Sequence, residues 1–400
     1  MLLSIFLAIA FGIIAGVFTG LTPGIHTNLV AAVLVSLSPA LLHYTTPVVL
    51  AVFIISISIT NSFLDSIPSI FLGAPESDTI LGVLPGHRYL LKGWGYMAVK
   101  LTLVGSIGAV IMGVLFFPLS IPLVKIIYPL AEPVIGYLLI GVALFGIWQD
   151  KKKLWAIFIF FLSGVFGLVV LNMPLLKQPL FPLLSGLFGV STLLISLNGS
   201  TSIPEQKIAE EIKLSPWLTL KALLSGQFSG FLTGILPGMG PAQAAALSMQ
   251  ITRNLGDHGF MILNGSINMF NFIFSISTLY AIDKARNGSI AAISELMDAV
   301  TVPDIIIFLA AILISAAASV YLALKIAQLF AALMNRVNYK IVILSVIGLI
   351  VSFTILLCGW LGIIVLVVST SIGLVPAIVK TGRTHGMACL LVPVILYFVM

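Results

Sequence analysis

Charge is what this 400-residue chain has least of: Asp, Glu, Lys and Arg make up 8% of it, and none occurs from Met1 to Leu64. Soluble domains carry roughly a quarter charged residues. With 60% hydrophobic residues and a mean hydropathy of +1.20, the composition excludes a water-soluble fold. Cysteine is nearly absent as well. Cys358 and Cys389 lie in or beside apolar runs, which gives no basis for a disulfide framework or a thiolate metal site. His26, His43, His87, His258 and His385 show no metal-ligand spacing. No P-loop, GxSxG or HExxH occurs, so neither ATP-driven transport nor the common hydrolase chemistries are supported, and no enzyme activity, metal or cofactor is expected.

What the chain has instead is apolar length. In the first half, runs cover approximately 3–38, 47–72, 97–117, 134–148, 154–172 and 179–197. In the second they cover approximately 217–251, 259–282, 302–333, 341–357, 359–379 and 385–400. Most are near or beyond the roughly 20 residues that cross a bilayer as helix. Because lipid-exposed backbone must satisfy its own hydrogen bonds, the pattern predicts an all-α polytopic membrane protein with roughly ten to twelve transmembrane segments. The N-terminal "MLLSIFLAIAFGIIAGVF" lacks the basic n-region of a signal peptide and reads as a retained first helix.

The chain repeats itself. "GVFTGLTPG" from Gly16 and "GFLTGILPG" from Gly230 superpose without a gap, so that Gly16, Thr19, Gly20, Pro23 and Gly24 fall on Gly230, Thr233, Gly234, Pro237 and Gly238, 214 positions on. This predicts two structural repeats, 1–197 and 217–400. A polar linker with a short surface helix, 198–216, joins them. An odd crossing count would make the halves an inverted repeat and an even one a parallel repeat. The net charge of +6 falls between the apolar runs, which suits cytoplasmic loops and anionic headgroups and not nucleic acid. By the positive-inside rule "DKKK" (150–153), "HRYLLK" (87–92) and the linker face the cytoplasm. The expected setting of this multi-pass chain is a prokaryotic plasma membrane.

Proline removes an amide donor and glycine relaxes the backbone, so each Pro-Gly pair ends one half-helix and starts another, giving broken or re-entrant helices. The second half-helix then offers free N–H groups and a partial positive charge to a carboxylate or phosphate. The first offers carbonyls to a cation. Around the breaks, Thr22, Thr27, Asn28 and Gln243 can add side-chain ligands, and His26 is either a substrate ligand or a hydrogen-bonded core histidine. The bland reading is that each break is a packing kink. Duplication at matching positions favours a site.

A second constellation, Thr60 to Gly93, interrupts its apolar run with Asn61, Ser62, Asp65, Ser66 and Ser69, then with "GAP" and the acids Glu76 and Asp78. Acids at membrane depth line cavities, although Glu76 and Asp78 equally suit a helix N-terminus near headgroups. Its counterpart, Asn268 to Ser289, aligned on Asn61 and Asn271, brings Asp283, Lys284 and Arg286 near the level of "GAPES". Asn61, Ser62, Asp65, Glu76, Asn268 and Asn271 are therefore candidates for cation coupling by Na⁺ or H⁺. Lys284 and Arg286 are candidates for an anionic substrate or members of a solvated loop.

At these residues the chain resembles a known family. "GFLTGILPGMGPAQAAAL" (230–247) and "IFLGAPESDTILGVLPGHRYLLKGWGYMAVK" (70–100) are similar to motifs of the large membrane subunit of tripartite tricarboxylate transporters, the TctA family. The resemblance implies a secondary, ion-driven symporter of organic di- or tricarboxylates that works with a small membrane subunit and an extracytoplasmic binding protein. It brings Gly240 and Pro241 into the substrate site beside Pro23, Gly24, Pro237 and Gly238. Membrane lipid and a second copy of the chain, as a homodimer, complete the expected partners. Two other readings stay open: a translocase of a lipid-linked phosphate of polyprenyl-phosphate type, and a membrane-embedded lipid enzyme using His26, Asp65 or Glu76.

Overall fold

The computed structural model describes residues 2–22, 27–72, 83–176, 178–197, 204–208, 214–235, 244–245, 248, 252, 255–334 and 339–399. Among these residues there are helices and no strands. The first half contains α1 (Leu2–Leu21), α2 (Thr27–Leu41), α3 (Pro47–Leu64), α4 (Ser66–Phe71), α5 (Val83–Leu90), α6 (Gly95–Ala131), α7 (Ile135–Gln149) and α8 (Lys153–Leu171). It ends in α9 (Leu180–Leu184), a π-helical turn (Ser185–Val190) and α10 (Ser191–Leu197). The second half contains α11 (Pro216–Ile235), α12 (Gly256–Ile282), α13 (Gly288–Leu296), α14 (Val302–Met334), α15 (Tyr339–Val379) and α16 (Ala388–Val399). Seven of the described helical stretches are long and apolar enough to span a membrane.

Polarity decides which helix goes inside. Every residue of α12 from Gly259 to Leu279 is buried, among them Asn264, Asn268, Asn271 and several hydroxyls. From Leu50 to Leu64, α3 is buried apart from Phe53 and Ser62. Helices α1, α8 and α14 instead turn large apolar side chains such as Phe18, Phe161 and Leu329 outward, where lipid accepts them without loss.

Glycine lets the inner helices be covered closely. On α1, Gly12, Gly16 and Gly20 face Ser56, Thr60 and Leu64 of α3, and a Cβ on Gly20 would come within 2.9 Å of Leu64 and of the Asn61 carbonyl. On α11, Gly226, Gly230 and Gly234 face Ser266, Phe270 and Phe274 of α12. The glycines of the two seams are 214 apart and their partners 210 apart, and α1 and α11 begin and end 214 residues apart.

The direction of the inner helices follows from their contacts. Helices α6 and α12 run the same way: Gly105 lies against Ile262, Ser120 Oγ is 2.7 Å from Ser277 Oγ, and Tyr128 lies beside Lys284. The α3–α4 arm runs against α6, because Phe71 packs on Gly95 while Ser66 accepts a 3.3 Å hydrogen bond from Thr102. Hence α3 and α12 point opposite ways across the bundle. Helix α14 runs with α3, joined by Ser319 Oγ to Thr60 Oγ1 at 3.0 Å and by Phe330 against Phe71.

A smaller cluster of α8, α9, the π-helical turn, α15 and α16 flanks this core around Leu187, Phe188, Val365 and Cys389. Helix α15 covers two of the expected apolar runs because it breaks at Gly359, whose φ of 65° is non-helical. Within the linker, residues 204–208 are docked: Gln206 accepts from Gly95 N at 3.0 Å and donates to Leu90 O at 3.0 Å.

The α6–α12 crossing yields a test. A Cβ at Gly105 would strike the Ile262 backbone, whereas at Gly141 nothing lies within 4 Å. Gly105→Val should destabilise the purified chain by about 3 kcal/mol or prevent folding, read as a lower melting temperature or loss of the monodisperse peak, and Gly141→Val should match wild type. Equal behaviour of the two variants would contradict this packing.

Candidate functional site

Helix α12 repeats asparagine at helical spacing. Asn264, Asn268 and Asn271, followed by Ser275, recur at steps of four, three and four, so they share one face. Asn271 Nδ2 donates to Thr233 Oγ1 on α11 at 2.7 Å, and Thr233 donates to Gly230 O at 2.9 Å. On its other side Asn271 Oδ1 receives a long 3.5 Å bond from Asn287, the N-cap of α13, whose Oδ1 accepts from Ser289 N at 2.9 Å. Ser58 of α3 donates to Ser289 Oγ at 2.9 Å. A buried polar chain thus connects α3 to α11 through α13 and α12.

One group in this region is left over. Asn268 is 7% exposed, and its Oδ1 is buried with no hydrogen-bond partner among the described residues. A buried amide oxygen without a donor is unfavourable by about 1–3 kcal/mol. An amide oxygen so placed can accept from a protonated group or coordinate a cation. Asp65 lies buried at the α3–α4 junction, 4% exposed, with Asn61 buried and Ser62 half-buried one turn earlier.

The remaining expected residues are distributed as follows. Thr22 follows α1 and donates to Phe18 O at 2.7 Å, and Thr27 is buried at the start of α2, where Asn28 also lies. Pro23, Gly24, His26, Glu76, Pro237, Gly238, Gly240, Pro241 and Gln243 lie outside the described residues. Helices α1 and α11 end at Leu21 and Ile235, just before the two Pro-Gly pairs.

Lys284 and Arg286 stand apart from the asparagine face, at the far end of α12. Lys284 Nζ lies 3.0 Å from Glu132 and 2.8 Å from Tyr128 Oη, and both cations sit over the Tyr128 ring. The hydrogen bonds to Tyr128 and Glu132 raise the Lys284 pKa. Its charge already has a partner.

The opposite end of the bundle gathers the basic loops. "DKKK" is held there by Asp150, whose Oδ2 accepts from Gly382 N at 3.0 Å and lies 3.0 Å from His385 Nε2, while Lys152 Nζ donates to Val379 O at 2.8 Å. Arg88 of "HRYLLK" lines a cavity beside it with Lys380 and Arg383. The sequence reading missed Arg383, Thr233, Asn287 and Ser289. Asn-Gly-Ser before an apolar helix is an N-cap signal that marks the last two.

A family model described as the tripartite tricarboxylate transporter TctA family matches residues 6–388, essentially the whole chain. The chain is also similar to an uncharacterized protein of Methanocaldococcus jannaschii, with 32% identity over 360 residues, 86% of this chain and 88% of that protein. No solved structure matches it.

The Asp150 clamp carries a pH signature. Burial pushes its carboxyl up, but hydrogen bonds from Lys152 N, Gly382 N and His385 outweigh this and hold it below its ordinary 3.8. A carboxylate depressed in the folded state stabilises the fold above the unfolded value and loses that contribution as pH falls through the folded one. Melting temperature should therefore drop on acidification below about pH 4, and Asp150→Asn should start lower at pH 7 and show a shallower acid drop. An unchanged drop in the variant would contradict the clamp.

Proposed function

This chain belongs to the tripartite tricarboxylate transporter TctA family, and on that premise we propose that it is a secondary active symporter of organic di- and tricarboxylates coupled to Na⁺ or H⁺. The two seamed pairs, α1 with α3 and α11 with α12, support an inverted repeat. Their glycines keep one offset and their partners another, and α3 and α12 point opposite ways. In such folds the site lies between the repeats, at broken helices. The half-helix N-termini after Pro23-Gly24 and Pro237-Gly238 meet the substrate carboxylates, beside Thr22, Thr27, Asn28, Gly240, Pro241 and Gln243.

The observation that carries the coupling step is the Oδ1 of Asn268, unpaired among the described residues, in the buried stretch of α12 next to the Asn271–Thr233 bond. A cation entering there satisfies that oxygen. Asn61, Ser62 and Asp65 supply the equivalent oxygens on α3, with Glu76 further along the chain. Protonation of Asp65 is the corresponding route for H⁺. As the large subunit of a tripartite system, the chain works with a small membrane subunit and an extracytoplasmic binding protein, in a prokaryotic plasma membrane with its basic end toward the cytoplasm.

Proteoliposomes of the purified chain, loaded with an inward Na⁺ or H⁺ gradient, should take up labelled citrate or succinate only while the gradient persists. Gly238→Leu should abolish uptake while leaving the chain in the membrane. Normal uptake by that variant refutes the site, and no wild-type uptake even with a candidate binding protein added moves the function to a lipid-linked phosphate.

A further inference from the structure

At the end of α12 opposite Lys284 lies a cavity of about 600 Å³. Its wall comes from three parts of the chain: Arg88 on α5, the first turn of α12 with Asp257, and the turn after α15 with Lys380 and Arg383. Three cationic side chains and one acidic one face this space, and among the described residues no carboxylate pairs with any of the three cations. Like charges gathered around one cavity repel each other unless a counter-charge enters.

The Arg383 side chain and the Lys380 backbone are held in place. Arg383 Nη1 donates to Thr192 Oγ1 at 2.5 Å, which orients the guanidinium and leaves its other N–H groups for a ligand. Lys380 adopts a left-handed φ of 56°, a conformation a non-glycine residue keeps only when its surroundings enforce it. Here they do: Thr381 N donates to Pro376 O at 3.0 Å, Lys152 Nζ caps Val379 O, and Asp150 grips Gly382 and His385. The one lining acid, Asp257, stands in the first turn of α12, where the helix dipole already favours a negative charge.

We infer that this cavity is a second anion site, taking a carboxylate- or phosphate-bearing oxyanion. It lies at the basic end of the bundle, apart from the buried asparagine face. For a polycarboxylate the inference rests on the transport function proposed above, as a mouth where substrate gathers before or after crossing. For phosphate it does not.

The test is calorimetric titration of the full-length chain, in phosphatidylcholine nanodiscs, with citrate and with inorganic phosphate. Lys380→Gln and Arg383→Gln should each weaken binding about tenfold, and Asp257→Asn should tighten it, a gain that a merely structural role does not produce. Lys380 is exposed, so its variant keeps the test valid if Arg383→Gln misfolds. Native mass spectrometry of co-purified phosphatidylglycerol supplies the lipid arm: retention that falls in Lys380→Gln, without solute binding, identifies a lipid headgroup as the occupant. If citrate, phosphate and phosphatidylglycerol all respond identically in wild type, Lys380→Gln and Asp257→Asn, the site does not exist. Phosphate binding that responds to these variants without any citrate uptake would remove the carboxylate function and leave this inference standing.

Discussion

A helix bearing three asparagines and a run of hydroxyls crosses a membrane only if lipid never touches it, and the burial of α12 is the constraint on which the rest of this fold depends. Burying it takes neighbours that come close on more than one side. Glycines at 226, 230 and 234 bring α11 against it, and the Gly105–Gly265 crossing brings α6 to backbone contact. Hydroxyls on those neighbours then satisfy its polar groups, as Thr233 does for Asn271 and Ser106 does for Gly265 O at 3.2 Å. Asn268 Oδ1, without a partner among the described residues, stands out against that background.

The same solution appears on α3, with α1 as its glycine-bearing cover and α14 on its far side. Because α1 runs with α3 and α11 with α12, while α3 and α12 run in opposite senses, α1 and α11 also run in opposite senses. The charged ends differ in kind. At one, Glu132 neutralises Lys284; at the other, Arg88, Lys380 and Arg383 surround a cavity.

Much of this was legible in the sequence, because it is written in short-range pattern. The duplicated "GxxTG" motifs contain seam glycines, the asparagines interrupt otherwise apolar runs, and the expected boundary between the runs 341–357 and 359–379 falls on the break at Gly359. What could not be read joins residues far apart. His385 looked isolated, yet it meets Asp150, 235 positions away; Ser58 meets Ser289 at 231; Lys284 meets Glu132 at 152. No local periodicity records such pairs. The contacts of the linker are of the same long-range kind: Gln206 finds two backbone partners in the α5–α6 region, Gly95 N and Leu90 O.

The opposed direction of the two seamed pairs is the central claim, and cysteine accessibility tests it most directly. Leu3 and Trp217, at the starts of α1 and α11, are 72% and 71% exposed, whereas the native Cys358 and Cys389 are buried. A membrane-impermeant maleimide applied to right-side-out and inside-out vesicles should label Leu3→Cys and Trp217→Cys from opposite sides. Labelling of both from the same side would contradict the account.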